Sequence, residues 1–398
     1  MIEHKLRILF NTNGPHCPSG YAQQAYDLLP QIKEAGFPLA CIAFYGLEGG
    51  TLEWNGIKMY PRIDDVWGGD AMVMHSKDFK ADIVITLQDL WPINPDYLKQ
   101  IPRFIPYVPI DHDPCPPIVL DRVKLAYRVI SMSKFGHDEL KTKGVHSTFI
   151  QHSINTDQLK PMDSKEEAKK KLGIPTDLFM FGMVAANKDV PPRKSFQECM
   201  DAFKMFHDKH PKSGLYFHTL TLQQGGFPIE EYAKFIGIEK SMFKIDPYAN
   251  RYLIKREDMG NIFNAFDCYL APSTNGGFEI PIIEAGSCGV PVITQPFTAM
   301  KDLVIDGETG YMCKTATKRF TPLLSNIGIP DTQSIYECME KVFATDRVEM
   351  GRKAREFVVK NFDCHTVFRE KWLPFLEKVE REIYPDIDKQ VDTQEVKQ

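Results

Sequence analysis

A glycine-rich loop that leads into an acidic helix is the strongest chemical signal in the sequence. The stretch 273–293 contains the adjacent glycines Gly276 and Gly277, and its apolar pattern predicts a helix over 281–288. Glu284 lies one turn into that helix among small and apolar neighbours, so its carboxylate is not fully hydrated. A buried carboxylate needs hydrogen-bond donors, and a pair of sugar hydroxyls supplies them.

Basic residues gather where another helix is predicted, over 194–209. Arg193 and Lys194 stand at its start, where a cation opposes the helix dipole by about 0.3–1 kcal/mol. A bound polyanion therefore explains the pair better than helix stability does. The alternative is that these are ordinary solvated surface side chains.

Pro18, Ser19 and Gly20 lie where the first strand gives way to the first helix. A helix N-terminus of this kind can face an anion, although a purely structural turn needs the same residues. The loop lacks the Gly-Lys-Ser of a Walker motif. No Gly-x-Gly-x-x-Gly follows the first strand either, which argues against an NAD-dependent enzyme.

His112 follows a strand-like run and stands between Asp111 and Asp113. Taken alone, such a histidine fits a loop residue or a metal ligand as readily as a catalytic group. Neighbouring side chains of an extended chain point to opposite faces, so this spacing by itself does not define a metal site.

The elements that must position these residues alternate between strands and helices, which predicts an α/β fold with parallel sheets. Helical spacing is found over 21–35, and an amphipathic helix is expected from 340 to about 382. Strands are predicted at 6–10, 39–44, 83–87, 104–108, 129–131, 149–150, 179–184, 215–219, 268–271 and 291–294.

Length and composition narrow the class of protein. A chain of 398 residues fits two domains better than one, and 43% hydrophobic with 25% charged residues is typical of globular proteins. There is no run of about 18 apolar residues and no signal-peptide pattern. The 9 cysteines follow no regular spacing, which favours reduced, mostly buried thiols and a cytoplasmic location. A net charge of -5 gives no general attraction to nucleic acid.

A charged segment around 164–171 separates two halves of the chain. We therefore expect a domain boundary near 160–175, between one Rossmann-like domain over 1–160 and a second over 161–360. If the two domains close around substrate, the connection 156–175 is the expected hinge. A helix over 361–384 and a polar tail over 385–398 follow.

In the order and spacing of its motifs, the chain resembles the retaining glycosyltransferases of family four, also called glycosyl transferases group 1. The resemblance covers nearly the whole chain. It implies two Rossmann-like, doubly wound domains of the GT-B architecture that face each other across a cleft. The first would bind the acceptor, the second would bind the nucleotide-sugar donor, and the helix 361–384 would cross back to the first. The matching motifs are 18–20, 111–113, 131–134, 151–155, 193–194 and 276–293.

The resemblance also implies roles for single residues. The loop at Gly20 approaches the donor phosphate or the acceptor, Lys194 binds the diphosphate, and Glu284 contacts the nucleotide ribose. Gly276 stands where the family has its first acid, which contacts the transferred sugar, and Glu279 stands where the family usually has glycine. Either Glu279 assumes part of the sugar-binding role, or donor choice has changed, or activity has been lost.

His112 matches a family histidine near the reacting sugar, where it bonds a hydroxyl or stabilises developing positive charge. The family usually has an arginine near Asn187 and Lys188, and Lys188 or Arg193 can supply that charge. His152 is expected to be structural. The predicted catalytic residues are His112, Lys194 and Glu279, and the predicted donor-binding residues are Gly20, Asn187, Arg193, Lys194, Gly277, Phe278 and Glu284.

The implied function is transfer of a hexose from a UDP- or GDP-linked donor, with retention of configuration and without a metal or separate cofactor. The acceptor would be a saccharide, a lipid-linked molecule or another hydroxyl compound. Loops expected at 45–60 and 66–76 carry Trp54 and Trp67, which would stack on sugars or lie in the core. The alternatives are a nucleotide-sugar-binding protein with lost or altered catalysis, a nucleotide-sugar epimerase, and, as a minority possibility, an enzyme acting on modified DNA bases.

Overall fold

The computed structural model describes residues 4–101, 103–189, 191–221 and 225–386, so most of the polar tail predicted over 385–398 lies outside the described residues. The chain forms two compact units. Unit 1 comprises Met1–Pro109, Cys115–Ser153 and Cys364–Gln398, and unit 2 comprises Ile110–Pro114 and Ile154–Asp363. The roles given to the two halves of the sequence stay predictions.

The described residues form strands and α-helices in regular alternation. The strands are β1 Ile8–Asn13, β2 Leu39–Tyr45, β3 Leu52–Trp54, β4 Ile57–Pro61, β5 Ile83–Leu87, β6 Phe104–Val108, β7 Ile130–Ser131, β8 Thr148–Phe149, β9 Phe179–Val184, β10 Ser213–His218, β11 Met242–Lys244, β12 Cys268–Leu270, β13 Val292–Thr294, β14 Gly310–Met312, β15 Thr315–Phe320 and β16 Asn326–Pro330. The helices are α1 Gly20–Glu34, α2 Gly69–Phe79, α3 Pro95–Leu98, α4 Pro117–Val123, α5 Lys134–Thr142, α6 Lys165–Lys171, α7 Phe196–Lys209, α8 Ile229–Ile236, α9 Met259–Asn264, α10 Ile280–Ser287, α11 Thr332–Ala344, α12 Arg347–Phe362, α13 Cys364–Val367 and α14 Leu373–Ile383. Short 3-10 or π turns stand at Glu239–Ser241, Ala249–Leu253, Arg256–Asp258, Thr298–Asp302 and Phe368–Trp372.

Unit 1 is built on an 8-stranded sheet of order β3-β4-β2-β1-β5-β6-β7-β8. All neighbouring strands run parallel except β3 and β4, because the two are joined directly as a hairpin. β1 pairs with β2 and β5 and is buried on both faces, as its continuous apolar run predicts. The last helices complete this unit: Trp372 is 1% exposed, and its ring lies 5.1 Å from that of Tyr107.

Unit 2 contains a 6-stranded parallel sheet of order β11-β10-β9-β12-β13-β14. Its central strand β9 contributes side chains to two apolar clusters, since successive side chains of a strand point to opposite faces. Phe181 and Met183 join one cluster with α7 and α11, and Met180 joins the other with α9 and α10. Both units are therefore doubly wound α/β structures, which confirms the predicted fold class.

A buried acid ties α6 to the sheet of unit 2. Asp267, immediately before β12, accepts hydrogen bonds from the Lys169 amine at 3.0 Å, the Lys165 amine at 3.1 Å and the Met180 amide at 2.8 Å. Burial alone would raise the pKa of Asp267, but the two lysines and the amide outweigh it, so the pKa is lowered. The segment expected to act as a hinge, 156–175, thus contains a helix anchored within unit 2.

Several element boundaries differ from those predicted. α7 begins at Phe196 rather than at Lys194, because Ser195 has a φ of 52°, in the left-handed region. The single helix expected over 340–382 is divided, and Asp346 begins α12 by accepting from the Val348 and Glu349 amides. The loop expected at 45–60 holds β3 and β4.

The two loops predicted to carry tryptophans contain regular structure. Trp54 lies in β3 with its ring 5.5 Å from that of Tyr26, and the loop expected at 66–76 contributes most of α2.

All nine cysteines are free thiols; eight are buried and Cys17 is half-buried. Across the described ranges, no helix has both the length and the apolar character that a membrane crossing requires.

Candidate functional site

The carboxyl ends of β9 and β12 bring two separate loops of unit 2 together. The strands are parallel neighbours, with Phe181 opposite Cys268, so the segments that follow them leave from the same edge of the sheet. Arg193 and Lys194 lie on the segment after β9, and Glu279 lies on the segment after β12, immediately before α10. Residues 82 or more positions apart in sequence therefore meet at this edge.

Lys194 and Glu279 form a close, largely buried ion pair. The Lys194 amine donates to both carboxylate oxygens of Glu279, at 2.6 and 2.5 Å, and Arg193 approaches the same carboxylate at 3.4 Å. The side chains of Lys194 and Glu279 are 14% and 5% exposed. Arg193 also donates to the backbone carbonyl of Asn275 at 2.9 Å, which fixes the glycine loop against the basic segment.

Burial makes the Lys194 amine easier to deprotonate than an exposed lysine. Its removal from water and the neighbouring charge of Arg193 lower the pKa of the amine to about 8, although the Glu279 carboxylate acts in the opposite direction. The cluster holds two cations against one carboxylate. It is therefore complementary to a further negative charge.

The side chain of Glu279 fills the space beside Gly276. A Cβ added at Gly276 would lie 2.6 Å from Glu279 Oε1 and 3.1 Å from its Cγ. The absence of a side chain at 276 is thus what allows the acid at 279 to fold back over the glycine loop toward Lys194. The two departures from the family pattern are sterically linked.

His112 enters unit 2 through the short segment Ile110–Pro114. Its Nδ1 lies 2.7 Å from Asp111 Oδ1, and the other oxygen of Asp111 accepts from the Asn275 amide at 2.8 Å. Burial alone would raise the pKa of Asp111, but His112, the charge of Arg193 and the Asn275 amide outweigh it, so the pKa is lowered. A carboxylate bonded to one ring nitrogen orients the imidazole and determines which nitrogen faces outward.

A continuous polar chain therefore connects the three predicted catalytic residues. It runs from His112 through Asp111 to Asn275, whose carbonyl binds Arg193, and from there to Glu279 and Lys194. No role was predicted for Asp111 or Asn275 from the sequence. The signal for Asp111 was its place beside a histidine at the end of a strand, whereas Asn275 carried none beyond its position in the glycine loop.

The remaining predicted donor-binding residues of unit 2 have mixed surroundings. Glu284 is 4% exposed within α10, five residues after Glu279. Gly277 is buried, and Phe278 packs its ring 5.9 Å from that of Phe362. The Asn187 side chain donates to the Leu220 and Phe227 carbonyls at 3.2 and 2.8 Å and accepts from the Phe227 amide at 2.7 Å. These contacts shape the loop after β10, and donor binding by Asn187 stays a prediction.

Gly20 belongs to unit 1, whereas the other predicted site residues belong to unit 2. It is the first residue of α1, and the Ser19 hydroxyl caps that helix by accepting from the Ala22 amide at 3.1 Å. Asn13 donates to the same hydroxyl at 2.7 Å. The loop is thus a well-capped, exposed helix start, and its contact with a substrate stays a prediction.

Comparison with known families identifies part of unit 2. Residues 225–323, which include Gly276, Glu279 and Glu284, match the family model described as glycosyl transferases group 1. The predicted resemblance to this family is thereby confirmed over these residues, without the finer assignment to retaining family-four enzymes.

Several curated proteins align with parts of the chain, and two of them are described here. The D-inositol 3-phosphate glycosyltransferase of Streptomyces avermitilis is 25% identical over 166 residues, which is 41% of this chain and 35% of that protein. The trehalose synthase of Pyrococcus horikoshii is 31% identical over 112 residues, which is 28% of this chain and 23% of that protein. The matched region thus spans only about a third or less of the length of these relatives.

Solved structures agree with the fold over almost the whole chain. The sucrose-phosphate synthase of Thermosynechococcus elongatus superposes with a TM-score of 0.76 at 14% identity, covering 96% of this chain and 100% of that one. Anabaena HepE, solved in complex with UDP and glucose, gives a TM-score of 0.70 at 16% identity, covering 93% of this chain and 99% of that one. The chain therefore has the GT-B fold of these proteins.

Proposed function

We propose that this chain, which resembles group 1 glycosyltransferases and has the GT-B fold, transfers a hexose from a nucleotide-sugar donor to an acceptor hydroxyl with retention of configuration. The observation that carries the proposal is the buried cluster of Lys194, Arg193 and Glu279 at the carboxyl edge of the sheet in unit 2. Residues 161–360 would bind the donor and residues 1–160 the acceptor.

The cations suit the leaving diphosphate. Negative charge grows on the diphosphate as the bond to the sugar breaks, so cations placed there stabilise the transition state more than the ground state. Lys194 is 14% exposed and Arg193 is 34% exposed, so their charges act in a partly dehydrated site, where electrostatic interactions are stronger than in bulk water. Lys194 would exchange one Glu279 oxygen for a phosphate oxygen.

Glu279 is the proposed sugar-binding acid. Its carboxylate lies where a side chain at position 276 would begin, so it reaches the region from which the family's first acid extends. Once Lys194 turns to the phosphate, the carboxylate is available to accept from hydroxyls of the transferred sugar. This geometry supports the first of the three explanations for Gly276, in which Glu279 assumes part of the missing role.

The surroundings of the carboxylates favour front-face displacement over a covalent intermediate. Asp111 is bonded to His112 and Asn275, and Glu279 keeps Arg193 as a partner while it accepts from sugar hydroxyls, so we assign neither carboxylate as a nucleophile. The acceptor oxygen would bond to the anomeric carbon on the face from which the phosphate leaves, and the acceptor proton would pass to the departing phosphate oxygen. His112 would bond a sugar hydroxyl and stabilise the positive charge that develops on the ring.

We expect a donor linked to UDP or GDP and no separate cofactor. HepE has also been solved with UDP-glucose, which makes that compound the first donor to test. The acceptor class stays open among saccharides, lipid-linked molecules and other hydroxyl compounds.

The decisive experiment measures binding and turnover on the same samples. Thermal-shift assays with UDP-glucose, a GDP-sugar and an ADP-sugar identify the donor, because a ligand that binds the folded state raises the melting temperature. Slow hydrolysis of that donor is then measured in the wild type and in Lys194→Ala. Lys204→Ala is the matched control, since this exposed lysine lies on α7 and pairs with Asp208. We expect selective stabilisation, and turnover that only Lys194→Ala abolishes.

Other outcomes separate the alternatives. Stabilisation without hydrolysis or transfer would favour a nucleotide-sugar-binding protein with lost catalysis. Conversion of the donor to another sugar nucleotide without an acceptor would favour an epimerase. Absence of any shift with all three donors would refute the proposal.

A further inference from the structure

The hairpin formed by β15 and β16 belongs to neither large sheet. Its two antiparallel strands form a separate 2-stranded sheet, and every residue of β15 after Thr315 is exposed. An isolated two-stranded hairpin is only marginally stable in water, so contacts with the rest of unit 2 must hold it in place. Those contacts involve both loops of the candidate site.

One group of contacts holds the segment that carries His112. Asn326 and Asp113 exchange two backbone hydrogen bonds of 3.1 Å, and the Asn326 side-chain amide donates to the Asp113 carbonyl at 3.1 Å. The Ser325 hydroxyl donates to the Pro114 carbonyl. Lys318 pairs with the Asp113 carboxylate at 2.6 Å, but both side chains are more than a third exposed, so this pair contributes little.

A second group of contacts holds the glycine loop. The Gly328 amide donates to the Thr274 carbonyl at 2.8 Å. The Gln295 amide bridges the Ser273 and Gly328 carbonyls at 2.6 and 3.0 Å, and its oxygen accepts from the Thr315 hydroxyl at 2.8 Å. β16 is therefore bonded directly to Thr274, the residue before Asn275, and through Gln295 to Ser273.

The two loops meet at the Asp111–Asn275 hydrogen bond, and the hairpin fixes the residues on either side of that bond. We propose that β15–β16 is a positioning element that holds His112 in register with the Lys194–Glu279 cluster. Ser325 and Asn326 act through His112 and are positioning residues. The activity readout below rests on the proposed function, whereas the spectroscopic readout does not.

The test compares Ser325→Ala/Asn326→Ala with Thr317→Ala. The double variant removes the two side-chain bonds to the His112 segment and keeps the backbone pair. Thr317→Ala is a matched control, because Thr317 is exposed on the same hairpin and its hydroxyl donates within the hairpin, to the Lys318 carbonyl. If the double variant does not fold, Asn326→Ala alone replaces it.

The first readout is the imidazole signal of His112 in a proton–carbon correlation spectrum of histidine-labelled protein, assigned by its loss in His112→Gln. We expect this signal to move in the double variant and to stay in place in Thr317→Ala. The second readout is donor turnover. Misplacement of a reacting group by about 1 Å costs on the order of 10- to 100-fold, so kcat should fall by about that factor while KM for the donor stays nearly constant.

A double-mutant cycle with His112→Ala shows whether the effect acts through the histidine. Adding the hairpin substitutions to His112→Ala should cause no further loss of kcat. An unmoved His112 signal in a folded double variant, or a loss that multiplies with that of His112→Ala, would overturn the inference. If the signal moves but no donor is turned over, the positioning role stands and only the proposed function fails.

Discussion

Replacement of Glu279 by glutamine is the most direct test of the electrostatics of the site. The substitution keeps the shape of the side chain and its ability to accept a hydrogen bond, but removes the negative charge that faces the Lys194 amine at 2.5 Å. That charge raises the pKa of Lys194, against the larger effect of burial. Its loss must therefore lower the pKa of Lys194 further below its present value of about 8.

The size of the change follows from the bond that is weakened. A hydrogen bond to a charged partner contributes about 1.5–3 kcal/mol and a neutral one about 0.5–1.5 kcal/mol, so the substitution removes about 1.5 kcal/mol. One pKa unit corresponds to about 1.4 kcal/mol, so the pKa of Lys194 should fall by about one unit, to about 7. Only the protonated amine attracts phosphate. Nucleotide binding should therefore weaken above about pH 8 in the wild type and above about pH 7 in Glu279→Gln.

Calorimetric titration with UDP between pH 7 and 9 measures this fall in nucleotide affinity with rising pH, without involving the sugar. A terminal phosphate has its second pKa near 6, so ionisation of the ligand changes little in that window. Removal of the carboxylate also changes the affinity of the protonated form, so each protein is compared with its own plateau at lower pH. On that scale the affinity of Glu279→Gln at pH 8 should be about fivefold below that of the wild type. Glu230→Gln is the control, because Glu230 pairs with Lys244 elsewhere in unit 2. If UDP affinity falls at the same pH in the wild type and in Glu279→Gln, the assignment of Lys194 as the phosphate ligand is refuted.

Two further predictions concern the stability of unit 2. Asp267→Asn should lower its stability by about 3 kcal/mol, because the Lys169 amine loses its buried partner, whereas Asp208→Asn at an exposed pair should not. The pKa of Asp267 is lowered in the folded state, so its contribution to stability is present near neutral pH and is lost as the pH falls. Urea unfolding at several pH values should therefore show the stabilities of the wild type and Asp267→Asn converging in acid. A difference that stays constant with pH would contradict this. Gly182→Ala should cost about 1–3 kcal/mol, because the added Cβ would lie 2.3 Å from the Phe266 ring. Gly50→Ala, with nothing within 4 Å, is its control in thermal melting, and equal melting temperatures for the two variants would show that β9 can move to accept the methyl group.

The sequence predicted the fold because hydrophobic periodicity is local. Continuous apolar runs separated by helical spacing indicated buried parallel strands, and β9 and β12 lie where those runs predicted them. The meeting of Lys194 with Glu279 follows from the order of strands in the sheet. That order comes from tertiary packing, which local patterns do not reveal. The expectation that the two residues share a site came instead from the family resemblance.

Features set by backbone geometry were not predicted. The left-handed Ser195 moves the start of α7 past Lys194, so the two cations precede the helix and approach Glu279. The steric link between Gly276 and Glu279 depends on a side-chain path that no pattern of residue types reveals.

The division of unit 1 into three stretches has a consequence for its synthesis. Glu380, in α14, accepts from the Lys5 and Leu6 amides at 2.6 and 3.0 Å, and its other oxygen lies 2.6 Å from His4, 376 residues earlier. Nascent chains generally fold domain by domain as they leave the ribosome. His4, Lys5 and Leu6 gain this partner only after α14 has been synthesised, so unit 2 can fold before unit 1 is complete. A substitution of Glu380 would therefore act on the segment that precedes β1, although 376 residues separate Glu380 from His4.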